Sequence, residues 1–311
     1  MSRPQLLLPL LLLALTTPAP SAVTPRPFDE ERAYRDLAKQ CEFGPRVPGT
    51  RAHAQCADWL VKQLKPLADT VERQQFTAQV NGKTLRLTNV VATFDPPDGR
   101  RASPKGARHI LLCAHWDSRP RAECDPDPRK RSRPISGAND GASGVAILLE
   151  IARALKAHPP AQRVTLVLFD GEDYGTTVET MFLGSRYFAQ QYRARPPDWA
   201  ALLDMVGDKD LRIPQEGISL DRAPEVVARL WGAAARAGSK AFVAKPGQAV
   251  LDDHVQLLDR GIQCADIIDF TYPYWHTTAD TPDKCSAESL GQVGRAVLGA
   301  VGEDEGQVLS D

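Results

Sequence analysis

Four short runs of the chain are almost continuously apolar, and they constrain the fold more than any other feature. They lie at residues 109–114, 164–169, 200–206 and 263–268. Each has the length of a strand, and the lack of polar alternation suits strands buried on both faces of a sheet. Helical apolar spacing occurs at 29–42 and 52–67, and again at 142–157, 185–191, 223–237 and 286–301. Pro48-Gly49-Thr50 introduces the second of these segments with a turn and an N-cap. Two period-two stretches, 70–80 and 85–94, meet at Asn81-Gly82, a strong hairpin signal. Strands alternating with helices predict a three-layer α/β/α sandwich with a mixed, mostly parallel central sheet. Ligands of such a sheet bind beyond the carboxyl ends of its strands. With no repeat or linker, residues 23–311 are expected to form one domain. The Pro-, Asp- and Arg-rich stretch 118–137 has no periodicity, and a loop of that length inside a domain points to function more than to disorder.

The first residues read as a leader. Arg3 precedes an apolar run at 6–15, and small residues lead to Ala19 and Ala22, either of which suits a cleavage site. The run is too short to span a bilayer, so residues 1–22 are expected to be a removed signal peptide, with an uncleaved anchor as the alternative. That implies a secreted or periplasmic protein with no stable membrane insertion. Cys41, Cys56, Cys113, Cys124, Cys264 and Cys285 would then meet an oxidising compartment. Cys41 with Cys56 and Cys264 with Cys285 are nearest in sequence, but six cysteines allow 15 full connectivities, and buried free thiols are a further alternative. Lys and Arg total 38 against 39 Asp and Glu, a balance that excludes a nucleic-acid binder relying on a basic surface.

Several strand-like runs finish in residues that can hold a metal. His115-Trp116-Asp117 ends the first, Asp170-Gly171-Glu172-Asp173 follows the second, and Asp204 ends the third. Asp140 stands in Gly137-Ala-Asn-Asp140-Gly-Ala-Ser-Gly144 just before a helix. Asp252-Asp253-His254 opens another helix, and His276 lies in Tyr274-Trp-His-Thr277. Each has a plainer reading: Asp140 and Asp252 as helix caps, Glu172-Asp173 as a solvated turn, His276 and Trp275 as packing residues. Together, mixed Asp, Glu and His donors without cysteine suit Zn²⁺ in a hydrolase-type site.

In this order the blocks resemble the zinc-dependent exopeptidases with an aminopeptidase-like fold. Within that superfamily the chain is similar to the animal-type glutaminyl cyclases and their bacterial relatives, through Phe43-Gly-Pro-Arg-Val-Pro-Gly49, His115-Trp-Asp-Ser-Arg-Pro120, Asp125-Pro-Asp-Pro128, Leu251-Asp-Asp-His254 and Tyr274-Trp-His-Thr277. The resemblance implies one zinc ion at Asp140, Asp173 and His276. It gives Glu172 the role of general acid and base, with Asp252 and Asp204 supporting it, and makes Trp275 a wall of the substrate pocket. The implied reaction turns an N-terminal glutamine of a peptide or protein into pyroglutamate and releases ammonia.

The alternative is a two-metal aminopeptidase in which Asp140 bridges two zinc ions, His115 and Asp204 complete the second site, and Glu172 activates a water. A non-catalytic ectodomain of the same fold is a third expectation, opposed by the intact ligand set. Asp252 and Trp275 favour the cyclase. Asp173 stands where vertebrate cyclases carry Glu, and the helix after Asp140 offers Cys113 no disulfide partner. Ser118, Ser143 and Cys113 are expected to be structural. Asp125 and Asp127 are read as part of a solvated loop, with a structural cation as the alternative. The leader and the bacterial-type blocks suggest a Gram-negative periplasm or secretion.

Overall fold

A computed structural model describes residues 27–97 and 108–308, so the leader expected at 1–22 lies outside the described residues. The elements run α1 (Glu30–Glu42), α2 (Arg51–Leu64), β1 (Thr70–Val80), β2 (Lys83–Phe94), β3 (His109–His115), α3 (Ala142–Ala157), β4 (Arg163–Phe169), α4 (Leu183–Gln191) and β5 (Trp199–Asp204). They continue with β6 (Ile213–Gln215), α5 (Gly217–Arg222), α6 (Pro224–Arg236), β7 (Phe242–Pro246), α7 (Asp253–Leu258), β8 (Cys264–Ile268) and α8 (Ala287–Val308).

The hairpin forms where Asn-Gly requires it. Asn81 and Gly82 both take positive φ, at 49° and 76°, which suits the twist of β1 and β2. The main sheet has the order β1-β2-β4-β3-β5-β8. β3, β4, β5 and β8 are parallel, whereas β2 pairs antiparallel with β1 and with β4. The sheet is therefore mixed and mostly parallel, as its apolar strands imply. Helices α1, α3, α6 and α8 pack together on one face, and α4 and α7 on the other. Helix α3 is buried almost all round, and its one inward acid, Glu150, is paired by Arg32 and Arg153. β6 pairs with β7 in a separate parallel ribbon beside α5. Pro214 and a register shift deny that ribbon the alternation by which strands are read from sequence.

The winding of the chain places the site. β4 lies on one side of β3 and β5 on the other, so the crossover direction reverses around β3 and opens a crevice at the carboxyl ends. His115 is opposite Phe169, and Asp204 opposite Ile268, so the four parallel strands end nearly level. Helix α3 enters close against this edge. A Cβ at Gly144 would come within 2.1 Å of the Leu203 carbonyl oxygen, so no larger residue fits there without displacing the helix.

All six cysteines are free thiols, so neither Cys41–Cys56 nor Cys264–Cys285 is bridged. Among the described residues, no helix is long and apolar enough to cross a membrane.

At the opposite end of β3, burial pushes the His109 imidazole down to about 4, helped by Arg163. The neutral ring sits between the Thr165 hydroxyl and the Tyr192 hydroxyl, at 3.0 and 3.2 Å. An unfolded His titrates near ~6.5, so the unfolded chain takes up this proton first as the pH falls. The contribution is whole above that pH and is lost on acidification towards 4, at most about 3 kcal/mol. Chemical denaturation at pH 7 and pH 4.5 should therefore show a smaller acid loss in His109→Gln than in the parent. Equal losses would remove His109 from the acid response.

Candidate metal centre

The strand ends bring the predicted donors into one buried cluster. The Asp140 carboxylate stands between two imidazoles, with Oδ1 3.2 Å from His115 Nε2 and Oδ2 3.7 Å from His276 Nε2. Asp204 Oδ1 lies 3.2 Å from His115 Nε2, and Asp173 Oδ1 lies 3.4 Å from His276 Nε2. Two donor sets result, Asp140–Asp173–His276 and His115–Asp140–Asp204, and in each the donor atoms lie within 4.8 Å of one another. Asp173 Oδ2 is buried without a hydrogen-bond partner, as expected of a group whose partner is an ion, whereas His115 Nδ1, on the ring edge away from Asp140 and Asp204, faces Asp117 and Glu172 at 3.6 and 3.8 Å. Oxygen and imidazole donors without thiolate fit zinc. Zinc would also compensate the buried carboxylates.

Asp140 and Asp173 are held from behind through their backbone amides. Asp117 accepts the amides of Glu172 and Asp173, at 3.1 and 3.4 Å. Asp280 does the same for Asn139 and Asp140, at 2.9 and 3.3 Å, and takes the Tyr272 hydroxyl at 2.8 Å. Asp170 accepts the Thr88 amide and pairs with the buried His53, whose ring stacks on Trp116. Asp140 caps nothing: Gly141, at φ 149°, holds the N-cap of α3 without a side-chain bond, and a Cβ there would strike the His115 ring. His276 and Met205, the residue after Asp204, sit in the left-handed region at φ 51° and 48°. Such strain concentrates at functional sites that the surrounding structure can enforce.

The remaining acids line a cavity of about 320 Å³ beside the donors. Burial pushes the Glu172 carboxyl well above the ordinary range, reinforced by Asp173 and by Asp252 and Asp253. Asp252 is raised for the same first reason and by Asp204. Asp252 caps α7 by accepting the Asp253 amide at 2.5 Å, so the capping role is real, yet the residue also faces the cavity. Asp252 and Asp204 share no hydrogen bond and interact as neighbouring charges. Trp275 stacks on His276, with centroids 3.8 Å apart, and walls the cavity with Phe270, Met205 and Ile268.

Several residues that hold the site were not recognised in the sequence. Arg46 is fully buried and donates to the carbonyls of Trp116, Ser136 and Gly137, clasping both stems of the loop 118–137. From that loop, Arg119 reaches Asp173 and Glu123 reaches His276. Asp125 binds the Thr278 amide and hydroxyl and the Asp127 amide, so it fastens the loop and is no solvated residue. Ser118 and Ser143 accept the amides of Arg46 and Val206, structural tasks as expected.

The fold is that of zinc-dependent exopeptidases and glutaminyl cyclases. Residues 89–301 match peptidase family M28, and the chain belongs to that family. It is 30% identical to a mouse glutaminyl-peptide cyclotransferase-like protein, over 76% of this chain and 66% of the relative, so it spans about two thirds of that protein. Among solved structures it resembles a glutaminyl cyclase of Tannerella forsythia, at 38% identity and a TM-score of 0.81 over 88% of this chain and 98% of the other. It also resembles a leucine aminopeptidase precursor of Bacteroides thetaiotaomicron, at 34% identity and a TM-score of 0.84 over 90% and 99%.

Proposed function

We infer that this protein is a zinc-dependent glutaminyl-peptide cyclotransferase that converts the N-terminal glutamine of peptides or proteins into pyroglutamate. The observation that carries the reading is the buried acid pair Glu172 and Asp252, facing one small cavity walled by Trp275. A carboxyl held above its ordinary range can both take and return a proton near neutral pH. Cyclisation needs that exchange, since the attacking amine must lose a proton and the departing nitrogen must gain one.

Asp140, Asp173 and His276 would hold one zinc ion, and the bound metal supplies Lewis-acid polarisation of the glutamine side-chain carbonyl. The cavity confines the glutamine so that its own α-amine meets the side-chain carbon, an intramolecular advantage that requires no protein nucleophile. A C–N bond forms to the α-amine and the bond to the amide nitrogen breaks. Glu172 takes the proton from the first nitrogen and delivers it to the second, which leaves as ammonia. Burial and the like charges of Asp173 and Asp252 raise the proton affinity of the Glu172 carboxylate, so that it can take the amine proton and then release it, while Asp204 acts through Asp252. Trp275, fixed against His276, excludes water from the reacting face.

The names of the mouse relative and of the Tannerella structure support this reading. A two-metal aminopeptidase is the second reading, favoured by the compact His115–Asp140–Asp204 set and by the leucine aminopeptidase precursor. The apolar run behind Arg3 supports export, with residues 23–311 as the mature catalytic unit in the periplasm or outside the cell.

The purified protein should release one ammonia for each glutamine-initiated peptide and leave a pyroglutamyl product. Hydrolysis of leucyl or alanyl anilides without any ammonia from glutaminyl peptides would establish the peptidase instead. Glu172→Gln should keep its metal and lose about 10²- to 10⁴-fold in kcat. Near-parental turnover in that variant would remove Glu172 from the proton path.

A further inference from the structure

The loop 118–137 supplies no metal ligand, yet it grips the donor set at several points. The amide of Cys124 donates to the His276 carbonyl at 3.1 Å. Asp125 Oδ2 accepts the Thr278 amide at 3.0 Å and also the Thr278 hydroxyl, two residues beyond His276. Next to these anchors the Glu123 carboxylate stands 3.5 Å from His276 Nδ1, on the ring edge opposite the Nε2 that faces Asp140 and Asp173. Arg119 closes the chain. Its Nε donates to Glu123 Oε1 at 2.7 Å, while its Nη1 donates to the Asp173 carboxylate and, at 3.2 Å, to the Asp173 carbonyl. One path, His276–Glu123–Arg119–Asp173, thus joins two of the three donors through side chains that lie outside the donor set.

We propose that Glu123, held by Arg119, is the positioning carboxylate of the metal centre, fixing the His276 ring so that Nε2 stays aimed at the metal. The proposal rests on the reading of Asp140, Asp173 and His276 as zinc ligands. A ligating imidazole needs an acceptor on its second nitrogen to set its tautomer, its ring angle and its basicity. Among the groups facing His276, Asp140 and Asp173 meet Nε2, and Glu123 meets Nδ1. The stacked Trp275 ring restricts the imidazole plane but offers no acceptor. Glu123 therefore sets the ring's direction. Arg119 neutralises Glu123 and restrains Asp173 at the same time, so the guanidinium couples the angles of two ligands. The half-exposed position of Glu123 makes it replaceable without opening the core.

The test uses zinc affinity measured on the whole protein by competition with a chromophoric chelator, together with the visible spectrum of the cobalt-substituted form. Glu123→Ala should weaken zinc by about 10- to 100-fold and shift the cobalt bands. Glu123→Gln, which keeps an acceptor but not the charge, should weaken it by about 3- to 10-fold. It serves as the deciding variant if the alanine form unfolds. Zinc affinity and cobalt bands equal to the parent in a folded Glu123 variant would overturn the proposal. His276→Ala separates the two levels. If it abolishes tight zinc binding while the Glu123 variants bind normally, only the positioning role fails. If it too binds zinc normally, the ligand reading fails and the proposal falls with it.

Discussion

Mutual repulsion among buried carboxylates is the constraint on which the rest of this structure depends. Asp140, Glu172, Asp173, Asp204, Asp252 and Asp253 converge at one edge of the sheet, each under 10% exposed. Against them stand the imidazoles of His115 and His276, with Arg119 at the rim. Like charges in a medium of low dielectric cannot all remain ionised at this spacing. Two kinds of relief are visible. The carboxyls of Glu172 and Asp252 are displaced upward by burial and by neighbouring acids, and the donors nearest the imidazoles are disposed around a cation. The same imbalance that burdens folding thus provides a proton carrier beside a metal, the pair that the proposed cyclisation uses.

The scaffold answers this burden with backbone hydrogen bonds. Asp117 and Asp280 accept amides from the two segments that carry Glu172, Asp173 and Asp140. Charge-assisted bonds to amides are stronger than neutral ones and tolerate burial. The donors are consequently fixed by the chain that bears them before any ion arrives. Close packing completes the arrangement: glycine at 144 lets α3 lie against β5, and glycine at 141 leaves room for the His115 ring. Arg46 performs the equivalent task for the loop, spending its donors on carbonyls and on no carboxylate.

What was legible in the sequence is what local chemistry determines. The hairpin could be read because Asn81-Gly82 suits only a few turn geometries, and β3, β4, β5 and β8 because doubly buried strands are mostly apolar and lack polar alternation. Donors at strand ends were visible once the sheet was inferred, since the topology leaves them on one edge. The β6–β7 ribbon and α5 escaped because three to six residues around Pro214 carry no period. Arg46, Arg119, Glu123 and Asp280 escaped for a different reason. Their partners lie far away in the chain, and a stretch rich in Pro, Asp and Arg has the composition of a solvated loop. Asp252 shows that alternative readings need not exclude each other, for it caps α7 and also lines the cavity.

The central claim is that a single zinc ion sits at Asp140, Asp173 and His276, while His115 and Asp204 serve the acid network. Anomalous diffraction at the zinc edge, from crystals of protein purified without chelators, tests it most directly. The account predicts one strong peak bounded by Asp140, Asp173 and His276. A second peak of comparable height between His115, Asp140 and Asp204 would contradict it and establish the two-metal centre of a peptidase.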